Sequence, residues 1–269
     1  MHFTKMQGAG NDFIIINNMI EHIPEDRFSE LARFLCRPHL SVGADALMIV
    51  TKPHKGGDYG MLFYNPDGSL GEMCGNGARC ISRYGYENGL SGERPRIETT
   101  AGLVTAERIT KTEYRVHLNL PTVLEEREAE GYACGYVELG NPGLPHCVVL
   151  LEDWDSRNEN ELRELGRTLR FAKSFPKGAN VTFVKTLSED HFKVRTFERG
   201  VEDFTLACGT GCGSTVSVLT KRGLCSGKNV RLESDGGTLT VSLTMENGKV
   251  TELLLQGPTC VVSIGETGD

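Results

Sequence analysis

Long hydrophobic runs, basic clusters and cofactor-binding loops are all missing from this sequence. No uninterrupted apolar stretch approaches the roughly 20 residues that a membrane-spanning helix needs. The opening Met1-His2-Phe3-Thr4-Lys5-Met6 has neither an apolar signal core nor a small-residue cleavage site, so a cytoplasmic protein away from any membrane is expected. Lys and Arg number 29 against 36 Asp and Glu, a formal charge of −7, with no Lys/Arg-rich run. That excludes nucleic acid and anionic lipid as partners, since both require a basic footprint. Neither a P-loop nor a G-x-G-x-x-G pattern is present, and Lys177 and Lys185 have no distinctive context for a pyridoxal Schiff base, so no cofactor is expected.

Cysteine is present but sparse for a stapled scaffold: nine residues, an odd number, at positions 36, 74, 80, 134, 147, 208, 212, 225 and 260. In a reducing compartment most should be free thiols. Cys208 and Cys212 invite a zinc or disulfide reading, but the paired C-x-x-C elements of a structural zinc site are absent and no metal is expected. With 269 residues, 39% of them hydrophobic, the chain is long enough for one large domain or two smaller ones.

A constant offset then divides the chain. Cys74-Gly75-Asn76-Gly77 reappears as Cys208-Gly209-Thr210-Gly211, 134 residues later. Phe28, Leu31 and Leu35 map at the same offset onto Leu162, Leu165 and Leu169, and Phe13-Ile14-Ile15-Ile16 onto Cys147-Val148-Val149-Leu150. Gly43-Ala44-Asp45 pairs with Gly178-Ala179-Asn180, and Gly10-Asn11 with Gly140-Asn141, after which the second copy carries the extra loop Pro142-Gly143-Leu144-Pro145. Each half reads as strand, helix, strand, strand, a Cys-Gly-x-Gly loop opening a helix, then a group of strands. Apolar spacing predicts a helix over 25–36 that Pro38 ends. Alternation at Tyr114/Val116/Leu118 and Leu239/Val241/Leu243, with an Asn247-Gly248 turn, predicts hairpins. The fold expected is α+β: two pseudo-symmetric domains, 1–120 and 121–258, of mostly antiparallel sheet, with a cleft between them and the tail 259–269 packing back on the first.

A Gly-rich turn opening a helix leaves backbone N–H groups pointing outward, where the helix dipole favours a carboxylate or phosphate. A cysteine at that mouth has its thiolate favoured, which singles out Cys74 and Cys208, whereas Cys36, Cys80, Cys134, Cys147, Cys225 and Cys260 read as inert buried fillers. Internal symmetry would bring the two singled-out thiols face to face. Two equal groups in opposite protonation states suit removal and return of a proton on opposite faces of an α-carbon beside a carboxylate.

These residues resemble the diaminopimelate epimerase family, cofactor-independent two-cysteine enzymes of lysine and peptidoglycan precursor synthesis. The likeness runs through Lys5-Met6-Gln7-Gly8-Ala9-Gly10-Asn11-Asp12-Phe13, Asn65-Pro66-Asp67-Gly68-Ser69, Cys74 to Cys80, Glu198-Arg199-Gly200 and Ala207 to Gly211. The resemblance implies Cys74 and Cys208 as catalytic acid and base, with the amides of Gly75, Asn76, Gly209 and Thr210 cradling the reacting carboxylate. It implies Asn11, Asn65, Asn180 and Arg199 as holders of the distal amino-acid end, Asn141 beside the substrate, Glu198 near an ammonium, a sheet wrapped around a central helix in each domain, and a homodimer. A guanidinium suits bidentate capture of a second carboxylate.

This sequence departs from the family pattern in the 142–145 insertion before His146, in Phe204 where Glu is common, in Cys212-Gly213-Ser214, and around Pro38 and Ser41. A relative acting on another amino acid, such as a histidine or broad-specificity racemase, is the alternative those departures leave open. An amino-acid-binding protein would not need both cysteines. A thiol redox protein using Cys74 with Cys208, or Cys208 with Cys212, would show no α-proton exchange.

Overall fold

The computed structural model describes residues 1–71 and 74–268, and the chain divides into two compact units, Met1–His117 with Gln256–Asp269, and Leu118–Leu255. In unit one, β1 (His2–Gly8) pairs antiparallel with β2 (Asn11–Asn17). The chain passes through the short α1 (Asn18–Glu21) and α2 (Phe28–Leu35) to β3 (Ala46–Thr51), which lies parallel to β2. Next come β4 (Tyr59–Tyr64), antiparallel to β3, and the two-residue β5 (Leu70–Gly71). After α3 (Gly75–Glu87) the sheet resumes with β6 (Arg96–Thr99), parallel to β4, then β7 (Gly102–Arg108) and β8 (Glu113–His117), each antiparallel to the strand before it.

Unit two repeats this order, opening with β9 (Pro121–Ala129), β10 (Tyr132–Leu139) and β11 (Leu144–Leu150). After α4 (Glu159–Arg170) come β12 (Asn180–Ser188), β13 (His191–Phe197) and β14 (Phe204–Thr205). Beyond α5 (Gly209–Lys221) lie β15 (Val230–Ser234), β16 (Gly237–Glu246) and β17 (Lys249–Pro258). The pairings match: β11 is parallel to β12 and β13 to β15, and the rest of the set is antiparallel. A last strand, β18 (Cys260–Glu266), pairs antiparallel with β1. The fold is α+β, two pseudo-symmetric units of mostly antiparallel sheet. The sequence reading did not assign β1, which buries only Met6 and Gly8 and so lacks an apolar stripe, nor β9 and β10 at the start of unit two.

Two helices cover opposite faces of each sheet. Ile14, Ile16, Leu47 and Ile49 pack against Phe28, Ala32 and Leu35 of α2, while Phe13, Ile15, Met48 and Val50 pack against Cys80, Ile81 and Tyr84 of α3. Burial on both faces is why β2 and β3 read as continuous apolar runs rather than alternating ones. Residues Asn76 to Gly85 of α3 are all buried, as are Gly211 to Leu219 of α5, so these are central helices wrapped by sheet. Three of their buried hydroxyls are satisfied within the helix: Ser82 donates to the Ala78 carbonyl at 2.6 Å, Thr215 to Gly211 at 2.8 Å and Ser217 to Gly213 at 2.8 Å, whereas Ser214 Oγ of α5 is buried with no hydrogen-bond partner among the described residues. Close packing requires glycine at Gly135, where a Cβ would lie 2.4 Å from Val218 of α5. Asn247 and Gly248, with φ of 50° and 75°, make the tight turn between β16 and β17.

Candidate active site

The same local chemistry opens α3 and α5. Cys74 and Cys208 are the N-cap residues, in extended conformation, and each side chain accepts a hydrogen bond from a backbone amide three residues on. The distances are 3.2 Å from Gly77 N to Cys74 Sγ and 3.3 Å from Gly211 N to Cys208 Sγ. A thiol thus takes the place that Ser, Thr or Asp usually fills at a helix start. The amides of Gly75 and Asn76, and of Gly209 and Thr210, precede the first helical hydrogen bonds, Ala78 N to Cys74 O and Cys212 N to Cys208 O, both 2.9 Å. They form the part of each helix where an anion is favoured.

Burial separates these two thiols from five of the others. Cys74 and Cys208 are half-buried, whereas Cys36, Cys80, Cys134, Cys147 and Cys212 are fully buried and burial pushes the thiols of Cys36 and Cys80 up to about 12. Two thiols read from the sequence as buried fillers are not: Cys225 is half-buried and Cys260 lies exposed on β18, the strand that pairs with β1. No cluster of three or more His, Cys, Asp or Glu among the described residues could hold a metal ion.

Cys208 corrects the expectation of a thiolate favoured by its helix mouth. Its thiol is held well above the ordinary range, first by burial around the sulfur and then by the Glu198 carboxylate. The Thr210 hydroxyl, 3.4 Å from Sγ, and the Gly211 amide act the other way and do not prevail. Desolvation and a like charge outweigh a dipole worth a fraction of a kcal/mol to about 1 kcal/mol. At neutral pH Cys208 therefore carries its proton.

In unit one, Asn11 and Asn76 meet side chain to side chain at the mouth of α3. Asn65 lies in the β4–β5 turn, where its Nδ2 donates to Ser69 Oγ at 2.9 Å. In unit two, Asn180 spans two segments, donating to the Pro145 carbonyl at 3.1 Å and accepting from the Arg199 amide at 2.9 Å. Arg199 is exposed and donates from Nη1 to the Lys177 carbonyl at 3.2 Å. Glu198 accepts from Thr205 Oγ1 at 2.7 Å. Asn141 is exposed in the β10–β11 connection and, among the described residues, is hydrogen-bonded to none of these. His146, beyond the inserted loop, is fully buried with neither ring nitrogen hydrogen-bonded among the described residues. Burial and the nearby Arg199 push its imidazole down to about 3, so it is neutral.

The sequence reading assigned no role to Arg79 or Asp45, or to the buried pair Thr182 and Thr196, whose hydroxyls lie 3.0 Å apart beneath Gly211. Only a polar residue within an apolar strand, as in Val181-Thr182-Phe183, hinted at the pair.

Residues 3–121 and 139–259 match the family model described as diaminopimelate epimerase. The chain belongs to the diaminopimelate epimerase family. It is 40% identical to the diaminopimelate epimerase of Aquifex aeolicus (strain VF5), over 91% of this chain and 90% of that one. With the diaminopimelate epimerase of Methanothrix thermoacetophila it shares 37% identity over 100% of this chain and 96% of the other. Among solved structures, a Bacillus anthracis phenazine biosynthesis protein of the PhzF family superposes with a TM-score of 0.75 at 16% identity, over 99% of this chain and 98% of that one. A probable proline racemase from Agrobacterium radiobacter K84 gives 0.70 at 16% identity, over 99% and 92%. At such identities these structures show a shared fold alone. Among the described residues no helix is long and apolar enough to cross a membrane.

Proposed function

We propose that this chain interconverts LL- and meso-diaminopimelate by a cofactor-independent, two-base reaction in which Cys74 and Cys208 act on opposite faces of one α-carbon. The observation that carries the reading is the matched pair of half-buried cysteine N-caps, each on a helix mouth able to receive a carboxylate. In one direction a thiolate takes the α-proton while the opposing thiol donates its own to the carbanion. The reverse reaction exchanges the roles, and no net proton is consumed. Protonated Cys208 supplies the acid of one such pair. Charge developing on the reacting carboxylate is met by the amides of Gly75, Asn76, Gly209 and Thr210 and by two helix dipoles.

Diaminopimelate has a second amino-acid end, and we assign its binding to Asn11, Asn65, Asn141, Asn180 and Arg199, with Glu198 near an ammonium. The exposed Arg199 guanidinium supports capture of the distal carboxylate. Family kinship supports a cytoplasmic homodimer serving lysine and peptidoglycan precursor synthesis. Sizing by light scattering tests the dimer.

The deciding experiment incubates reduced protein in deuterium oxide with LL-diaminopimelate, and separately with histidine, glutamate and lysine. Deuterium at the α-carbon of diaminopimelate alone, with conversion to the meso form, is expected. Exchange into histidine instead would move the substrate and keep the mechanism. Cys74→Ser and Cys208→Ser should each lower epimerisation by at least about 100-fold, and a Cys74→Ser variant that epimerised at the parent rate would sink the two-thiol reaction.

A further inference from the structure

In unit one, a chain of hydrogen bonds runs from a buried cation to an exposed carboxylate. Arg79 of α3 is fully buried and donates to Asn76 Oδ1 at 2.8 Å and to the Gly75 carbonyl at 3.3 Å. Asn76 Nδ2 donates to Asn11 Oδ1, and Asn11 Nδ2 donates to Asp45 Oδ2 at 3.1 Å. Gly8 of β1 makes room for this, since a Cβ there would lie 3.2 Å from the Asn76 carbonyl oxygen and 3.5 Å from Arg79 Nη2. The carboxylate end is fixed by backbone: the Asp12 amide donates to Asp45 Oδ2 at 3.2 Å, and the Asp45 amide to Asp12 Oδ1 at 2.9 Å.

The two ends give the chain a direction. A guanidinium offers only donors and a carboxylate only acceptors, so the two carboxamides between them have one mutually satisfied orientation. Flipping Asn76 would turn its NH2 toward Arg79, and flipping Asn11 would turn its oxygen toward Asp45. In the locked arrangement Asn11 has its oxygen on Asn76 and one N–H on Asp45, which leaves its second N–H to offer a ligand. A donor at that point suits a carboxylate. Unit two has no copy of the device, because the positions 134 residues beyond Asn76 and Arg79 are Thr210 and Gly213.

We propose that Arg79 and Asp45 are positioning residues that lock the Asn11 carboxamide with an N–H toward the distal carboxylate of the substrate. The inference rests on the substrate-binding role given to Asn11 under Proposed function.

The test measures KM and kcat for LL-diaminopimelate with the full chain carrying Asn11→Ala, Arg79→Met, Arg79→Lys or Asp45→Asn, and the Asn11→Ala/Arg79→Met and Asn11→Ala/Asp45→Asn doubles. Asn11→Ala is expected to raise KM about tenfold with kcat within about twofold, the mark of lost ground-state binding. Arg79→Met and Asp45→Asn should each raise KM roughly 3- to 10-fold, and Arg79→Lys should recover most of the Arg79→Met loss. If both act through Asn11, the doubles will match Asn11→Ala within about twofold. Arg79→Met takes a donor from the buried Asn76 Oδ1 and is expected to lower stability, so Asp45→Asn at the exposed end decides the matter if Arg79→Met does not fold. Effects that multiply with Asn11→Ala, or that fall on kcat alone, overturn the lock. A KM unmoved by Asp45→Asn and Arg79→Met, with Asn11→Ala still raising it, overturns the lock and leaves the binding role standing. A KM unmoved by Asn11→Ala removes the binding role and the lock together.

Discussion

Alanine at the third helical position should have opposite effects in the two units. At Gly211 an added Cβ would lie 2.8 Å from Thr196 Oγ1 and 2.9 Å from Thr182 Oγ1, two β-branched side chains on packed strands and hydrogen-bonded to each other. Ordinary contact demands about 0.5 Å more, so α5 or the sheet must give. Overpacking of this kind costs about 1–3 kcal/mol, against which replacing a helical glycine returns at most about 1 kcal/mol. At Gly77 the corresponding Cβ would meet Cys74 Sγ at 3.4 Å, Met48 Sδ at 3.6 Å and Phe13 Cε1 at 3.6 Å, which is ordinary contact with flexible neighbours. Gly77→Ala should therefore be neutral or stabilising by up to about 1 kcal/mol. Thermal unfolding should separate the two variants by roughly 4–10 °C. The Gly211 amide that bonds Cys208 Sγ must move with its Cβ, so epimerisation should fall more in Gly211→Ala than in Gly77→Ala. If Gly77→Ala unfolds at or below the temperature of Gly211→Ala, the packing argument is wrong.

Two further outcomes follow from named groups. His146 is held neutral with its pKa near 3, whereas in the unfolded chain it protonates near 6.5. As pH falls the unfolded state binds the proton first, so the stability contributed by a neutral His146 is complete above about pH 6.5 and is lost between there and about pH 3, on the order of 3–5 kcal/mol in total. His146→Phe should flatten the stability curve over pH 6 to 4 in urea titrations, and curves that stay parallel would count against it. Asn158 caps α4 through a reciprocal pair with Glu161, its Oδ1 accepting from the Glu161 amide at 3.1 Å while Glu161 Oε2 accepts from the Asn158 amide at 2.9 Å. Asn158→Ala should lower unfolding stability by about 1 kcal/mol without changing KM, and an altered KM would show that α4 reaches the substrate.

By itself the sequence determined the repeat, the α+β class, the helix over α2, the Asn247-Gly248 turn and the two cysteines that cap α3 and α5. Those features are local: glycine and asparagine set turns, apolar spacing sets helix faces, and a motif copied 134 residues on carries its geometry with it. Strand β1 escaped notice because its partners, β2 and β18, are supplied from 11–17 and 260–266 and not by its own pattern. Tertiary structure alone decided that Glu198 and burial keep Cys208 protonated against its helix dipole, that His146 is neutral, and that Arg79 reaches Asp45 through two asparagines. Charge and desolvation depend on what lies within a few ångströms in space, and no spacing along a chain reports that.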